Sequence, residues 1–192
     1  MNFTVMMKKN SLINIEYIDR VQYLREICHK KRVLHLGATD SPFTKQAIQE
    51  NKFLHFALSE VSEKIVGLDL DNSMIQWLAD NYEINNILHG NIENSEDYPK
   101  ESFDIIVAGE IFEHLSNPGK ALNSINSVMS SSTNLVITVP NAYSIKGFSR
   151  SLMKHELIHP DHTMHHSPHT LKALLERHGF SVINFFSYVN CG

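Results

Sequence analysis

Short apolar runs alternate along this chain with segments whose apolar residues recur at helical spacing. Six of these runs have the length of buried strands. They cover residues 33–37, 65–70, 86–90, 103–109, 134–140 and 180–189. The segments between them predict helices over residues 12–30, 43–62, 72–83 and 117–130. A last helix is predicted to begin after Ser167, an N-cap residue followed by proline, and to run to Gly179.

The alternation of strands and helices predicts an α/β fold: a Rossmann-like, doubly wound, mostly parallel sheet with helices on both faces. Strands that are apolar throughout are typical of parallel sheets covered on both sides. Right-handed crossovers then give the first five strands the order 3-2-1-4-5. No linker or repeat divides the chain. We therefore expect residues 1–31 to form an N-terminal helical cap near the ligand cleft, and residues 32–192 to form one sheet domain.

The composition indicates which partners the protein is not expected to bind and in which cellular compartment it is expected. The 192 residues carry a net charge of −4 and no long basic run, so a nucleic-acid partner is not expected. No apolar run is long enough to cross a bilayer, and the first residues lack the apolar stretch of a signal peptide. Cys28 and Cys191 have no metal-ligand spacing, and two free thiols are typical of a reducing compartment. These features predict a cytoplasmic protein that does not bind membranes.

Two residues at strand ends suggest a nucleoside site. In parallel α/β sheets, ligands bind beyond the carboxyl ends of the strands. Gly37 ends the first strand and lets the backbone approach a ligand closely. Asp69 ends the second strand, where a carboxylate can accept hydrogen bonds from both ribose hydroxyls. The alternative is that Asp69 caps the following helix, although Asp71 and Ser73 are better placed for that role.

Five segments in this order resemble the motifs of class I S-adenosylmethionine (AdoMet)-dependent methyltransferases, over about residues 32–186. They are VLHLGATDS, IVGLDLDNSM, HGNIEN, FDIIVAGEIFEHLSNPGKAL and LVITVPNAYS with HPDHTMHHSPHTLKALLERHGF. The fourth segment closely matches the branch that includes the ubiquinone-pathway O-methyltransferases. The resemblance implies AdoMet as the cofactor and methyl transfer as the reaction.

The resemblance also implies which residues hold the parts of AdoMet. For the methionine part, the implied residues are His35, Gly37, Ala38, Asp40 and Ala108. For the ribose and the adenine, they are Asp69, Leu70, Met74, Asn91 and Ile92. Within these sets, Asp69 would hold the ribose hydroxyls, Asn91 would reach the adenine amino group and Ala108 would offer its carbonyl to the methionine ammonium group.

The first motif departs from the family pattern. His35 stands where the family has an acidic residue, and Ala38, Thr39 and Ser41 replace cysteine and glycines. The change at His35 removes a carboxylate that helps to organise the methionine ammonium group, and Asp40 could restore a nearby charge. The departure keeps open the alternative of a catalytically inactive AdoMet-binding or scaffold protein.

The end of the chain departs from the family as well. The family usually adds a seventh, antiparallel strand, whereas only residues 190–192 follow the sixth predicted strand. The sequence therefore predicts a sheet that lacks this strand. An exposed sheet edge can pair with a second chain, so a homodimer is possible if this strand is missing.

The acceptor side is expected after the fourth strand and before the last helix. Methyl transfer to a hydroxyl group needs the acceptor oxygen, the methyl group and the sulfur of AdoMet to be aligned. It also needs a group that takes up the hydroxyl proton. His114 is the predicted general base, for a small-molecule or glycan-type acceptor. Residues 155–169 hold half of the twelve histidines and are predicted to form a substrate-side lid, with Asp161 and His162 touching the acceptor. Such a segment could bind zinc or nickel, but it has no cysteine and no resident metal is predicted.

A short-chain NAD(P) oxidoreductase is a weaker alternative. That class needs a lysine four residues after a tyrosine, whereas Tyr143 is followed by Lys146 and then Gly147. Binding of NADH would favour this class, and release of S-adenosylhomocysteine would favour the methyltransferase.

Overall fold

The computed structural model describes residues 2–7, 17–141 and 161–189, which build one eight-stranded sheet with flanking helices. The strands are β1 Asn2–Met7, β2 Tyr17–Asp19, β3 Arg32–Leu36, β4 Lys64–Asp69, β5 Ile87–His89, β6 Ile105–Gly109, β7 Asn134–Pro140 and β8 Asn184–Val189. The helices are α1 Arg20–Cys28, α2 Thr44–Gln49, α3 Leu54–Ser59, α4 Asn72–Tyr82, α5 Pro118–Val128 and α6 Pro168–Arg177. Several residues of the sequence analysis lie outside this part of the chain: Tyr143, Lys146, Gly147, His155, His159 and Cys191.

Five parallel strands form one side of the sheet, in the order β5-β4-β3-β6-β7, with β5 at the edge. This is the predicted order 3-2-1-4-5, and the predicted fold class is confirmed. Leu34 of β3 faces the core that contains α5 and α6. Val33 faces the opposite core, which contains α1 and α3. Both faces of the sheet are covered, which is why apolar residues dominate on both faces of these strands.

The N-terminal residues contribute strands to this sheet, in contrast to the helical cap predicted over residues 1–31. β1 lies antiparallel between β7 and β8, and β2 pairs in parallel with β8. The expectation that the antiparallel strand is missing is therefore wrong, because β1 fills that place from the other end of the chain. The edge invoked for a homodimer is not open at this position, since β8 is paired with both β1 and β2.

Two helices begin or break at other positions than predicted. α1 begins at Arg20 because Asp19 caps it, accepting a hydrogen bond from the backbone N–H of Gln22 at 2.8 Å. The helix predicted over residues 43–62 is two short helices, α2 and α3. Asn51 separates them with a φ of 55°, a left-handed conformation that asparagine tolerates better than most residues.

The other three helices match their predicted segments within a few residues. Each begins after a side-chain N-cap: Asp71 for α4, Asn117 for α5 and Ser167 for α6. Among the residues that the structure describes, no helix is long and apolar enough to cross a membrane.

Candidate cofactor and acceptor site

A cleft of about 640 Å³ opens beyond the carboxyl ends of β3, β4 and β6. This is the edge at which parallel α/β sheets bind ligands. Six of the predicted site residues line it: Gly37, Asp40, Asp69, Leu70, His114 and His162. Glu110 and Glu113, which follow β6 and were expected on the substrate side with His114, also line the cleft.

The turn after β3 requires glycine. Gly37 has a φ of 73°, and a Cβ atom at this position would lie 3.1 Å from the side chain of Ile111. The N–H of Gly37 donates to the carbonyl of Leu68 at 2.9 Å, which ties the turn to the neighbouring strand. The turn therefore presents bare backbone to the cleft, as predicted for a residue that a ligand approaches closely.

Asp69 joins the loops that follow β3 and β4. One carboxylate oxygen accepts the backbone N–H of Thr39 and the other accepts that of Asp71, both at 2.9 Å. The cap of α4 is Asp71, which accepts the N–H of Met74 at 3.0 Å, so the alternative role of Asp69 as the cap is wrong. Each oxygen of Asp69 keeps further acceptor capacity at the edge of the cleft.

His35 lies in the core and does not line the cleft. Its side chain is 2% exposed and stacks on His55, with ring centroids 5.4 Å apart and Nδ1 atoms 3.1 Å apart. Burial, with added repulsion from His55 and Arg20, holds the pKa of His35 well below its usual value. The residue at the acidic position of the first motif is thus a neutral core histidine, two residues before Gly37.

The remaining predicted cofactor residues do not line the cleft. Ala38 and Ala108 are fully buried, in the backbone as well as in the side chain. Met74 is half-buried in the first turn of α4. Asn91 is exposed in the loop after β5, and Ile92 beside it is buried. Their positions relative to a bound nucleoside stay a prediction.

A charged cluster beside the turn was not found from the sequence. Glu110 accepts a hydrogen bond from the Tyr188 hydroxyl at 2.6 Å, and its other oxygen lies 3.6 Å from the Arg20 guanidinium. Its φ of 53° is rare for a residue other than glycine. Desolvation raises the pKa of the nearby Asp40, while Arg20 lowers it and Glu110 raises it. One cation and two carboxylates therefore lie close to the Gly37 turn.

The other end of the cleft gathers Glu113, His114 and His162. The two histidine rings are nearly perpendicular, with centroids 4.6 Å apart. Burial raises the pKa of the Glu113 carboxyl to about 8. Asp161, which was predicted with His162 to touch the acceptor, is exposed and does not line the cleft. The predicted base and one residue of the predicted lid thus meet at one end of the cleft, beside a buried acid.

The sequence profile of a methyltransferase domain matches residues 13–184. This chain belongs to that methyltransferase family. A curated relative, a probable S-adenosylmethionine-dependent methyltransferase from Mycolicibacterium smegmatis, is 25% identical over 125 residues, which are 65% of this chain and 46% of the relative. The aligned segment of this chain therefore spans under half the length of this relative. The family and the relative imply AdoMet as the cofactor.

Solved structures share the fold of this methyltransferase domain. A SAM-dependent methyltransferase from Archaeoglobus fulgidus matches with a TM-score of 0.57 and 24% identity, over 84% of this chain and 67% of its own. The YcgJ protein from Bacillus subtilis matches with a TM-score of 0.62 and 20% identity, over 84% of this chain and 68% of its own. At these identities the similarity establishes the fold and nothing finer.

Proposed function

We propose that this methyltransferase domain transfers the methyl group of AdoMet to a hydroxyl group of a small-molecule or glycan-type acceptor. One arrangement carries the proposal. A single cleft has the Asp69 carboxylate after β4 and the group of Glu113, His114 and His162 after β6 and before α6. The bare backbone of Gly37 follows β3, which lies between those two strands. A cofactor and an acceptor can therefore meet in one cleft.

The nucleoside side fits a ribose and an adenine. Asp69 is held by two backbone N–H groups and still has acceptor capacity for ribose hydroxyls. Leu70 is 66% exposed at the cleft, so its apolar side chain is available for contact with an aromatic ring. We assign the adenine to this side, between Leu70 and Met74, with Asn91 and Ile92 at its amino edge.

The methionine side fits a group that carries both an ammonium and a carboxylate. Glu110 and Asp40 supply the negative charge that His35 does not supply at the first motif. The Arg20 guanidinium lies 3.6 Å from Glu110, so a cation is close to the proposed position of the ligand carboxylate, although Arg20 itself does not line the cleft. This distribution supports cofactor binding despite the departure in the first motif. The inactive alternative is accordingly not favoured.

Transfer of a methyl group to a hydroxyl oxygen requires that the reacting atoms are aligned and that the hydroxyl proton is removed. AdoMet supplies a sulfonium methyl group to the acceptor oxygen, and the carbon–sulfur electron pair stays with sulfur in S-adenosylhomocysteine. The role of the cleft in this step would be to align the acceptor oxygen with that methyl group. In the simplest assignment the hydroxyl proton passes to His114. The match of the fourth motif to O-methyltransferases supports oxygen as the acceptor atom.

Production of S-adenosylhomocysteine tests the proposed reaction. Incubation of the purified chain with AdoMet and a panel of phenols, catechols and free or nucleoside-linked sugars should release S-adenosylhomocysteine with at least one acceptor, because all parts of the cleft are present in one chain. Mass spectrometry measures the product, and samples without acceptor give the background. A chain that binds S-adenosylhomocysteine but forms none with any hydroxylated acceptor would contradict the proposal and support an AdoMet-binding scaffold.

A further inference from the structure

Three potential metal ligands meet at the acceptor end of the cleft. One donor atom each from Glu113, His114 and His162 lies within 4.8 Å of the other two. Zn²⁺ binds imidazole nitrogen and carboxylate oxygen at about 2.0–2.2 Å in tetrahedral geometry, which places the ligand atoms roughly 3.3 Å apart. Small side-chain rotations are therefore sufficient to bring the three atoms around one ion.

The carboxylate of Glu113 points independently to a bound ligand. The residue is 2% exposed, and its Oε2 atom is buried without a hydrogen-bond partner in the structure. A buried polar atom without a partner costs free energy, so native proteins rarely leave one without a role. A cation beside Oε2 would supply the missing partner and would also compensate for burying the negative charge.

Backbone contacts hold the two ligand-bearing segments together. The N–H of Thr163 donates to the carbonyl of Glu113 at 2.8 Å, and the Thr163 hydroxyl donates to the carbonyl of Leu115 at 2.7 Å. His162 is the preceding residue, so its ring is held against that of His114. Ligands whose backbone positions are fixed in this way are preorganised for an ion.

We propose that Glu113, His114 and His162 bind a divalent transition-metal ion, with Zn²⁺ as the best match, and that an open coordination position faces the acceptor. Imidazole suits Zn²⁺ and its neighbours in the first transition series, whereas Mg²⁺ and Ca²⁺ select oxygen ligands. Three protein ligands with one open position are typical of catalytic zinc sites. The proposal departs from the sequence analysis, which predicted no resident metal.

The role of the ion rests on the proposed methyl transfer. A hydroxyl group bound to a divalent cation has a lowered pKa, so it loses its proton to water near neutral pH and becomes a better nucleophile. The acceptor class is then a hydroxylated molecule whose oxygen occupies the open position. His114 and His162 would act as ligands, and neither would need to take up the proton itself.

Titration of the full chain with Zn²⁺, after removal of bound metal with a chelator, tests the site. We expect calorimetry to show one tight ion per chain, and Co²⁺ to give the visible spectrum of a nitrogen- and oxygen-bound site. Glu113→Gln and His162→Ala should each weaken Zn²⁺ binding by at least about tenfold. His169→Ala is the matched control, since His169 is an exposed histidine on α6 close in sequence to His162. Circular dichroism checks that each variant folds.

Two results would overturn the site. The first is a wild-type chain that binds neither Zn²⁺ nor Co²⁺. The second is a Zn²⁺ affinity that is unchanged in both Glu113→Gln and His162→Ala, which would mean that surface histidines bind the ion. Binding of S-adenosylhomocysteine to the same samples separates this inference from the proposed function. Binding of Zn²⁺ without binding of S-adenosylhomocysteine would support the metal site and contradict the proposed methyl transfer. Binding of S-adenosylhomocysteine without binding of Zn²⁺ would support the proposed cofactor and contradict the metal site.

Discussion

His114→Ala is expected to lower the turnover of a hydroxyl acceptor by about 100-fold or more, while its affinity for S-adenosylhomocysteine changes little. General-base assistance is typically worth about 10²–10⁴-fold, and loss of a metal ligand at the acceptor would be at least as damaging. His114 follows β6 beyond Glu110 and meets His162, whereas Asp69 follows β4, on the other side of β3. Measurement of kcat and of the dissociation constant for S-adenosylhomocysteine separates the two effects.

The control for this prediction has to come from outside the site. His162 would be the obvious comparison from sequence, but its ring lies 4.6 Å from that of His114, so we expect its substitution to share the loss. His169→Ala changes an exposed histidine and should leave turnover unchanged. Equal and small effects of His114→Ala and His169→Ala would mean that alignment alone carries the reaction. Loss of S-adenosylhomocysteine binding in His114→Ala would place that residue on the cofactor side.

Asp69→Ala is expected to weaken binding of S-adenosylhomocysteine by about 1–3 kcal/mol, or roughly 5- to 150-fold in the dissociation constant. The substitution removes the acceptor proposed for the ribose hydroxyls. It also leaves the N–H groups of Thr39 and Asp71 without their present partner, which loosens the loop around the cleft. Asp69→Asn keeps one acceptor oxygen and should lose less affinity. Calorimetric titration measures all three proteins.

A matched carboxylate separates the ribose role from a structural one. Asp104 lies just before β6, at the opposite end of that strand from the cleft, and accepts the backbone N–H of Arg32 at 2.9 Å, much as Asp69 accepts that of Thr39. Asp104→Ala should lower the melting temperature without changing affinity for S-adenosylhomocysteine. Unchanged affinity in a folded Asp69→Ala protein would show that Asp69 only connects the two loops.

The central sheet and the place of the cleft could be predicted from sequence because both follow from local patterns. The run at residues 103–109 and its neighbours are rich in apolar residues, and right-handed crossovers allow few strand orders. Gly37 and Asp69 directly end or follow such strands, so the direction of the strands brings them to one edge. The N-caps at Asn117 and Ser167 are local signals of the same kind.

Features that depend on partners distant in sequence could not be predicted. β1 takes its place between β7 and β8 by pairing with the far end of the chain, and no pattern in six residues specifies those partners. The contacts of Glu110 with Arg20 and Tyr188 join three distant segments. His35 occupies a motif position, but its side chain packs on His55 of α3 in the core. Only the folded sheet determines which of these residues reach the cleft.

Titration of the purified chain with S-adenosylhomocysteine, with NADH as the comparison, tests whether the cleft is an AdoMet site. We expect saturable one-to-one binding by calorimetry and a raised melting temperature with S-adenosylhomocysteine, because a ligand that binds only the folded state stabilises it. NADH should produce neither effect. The absence of binding and of any thermal shift at millimolar S-adenosylhomocysteine, or an equal response to NADH, would contradict this assignment.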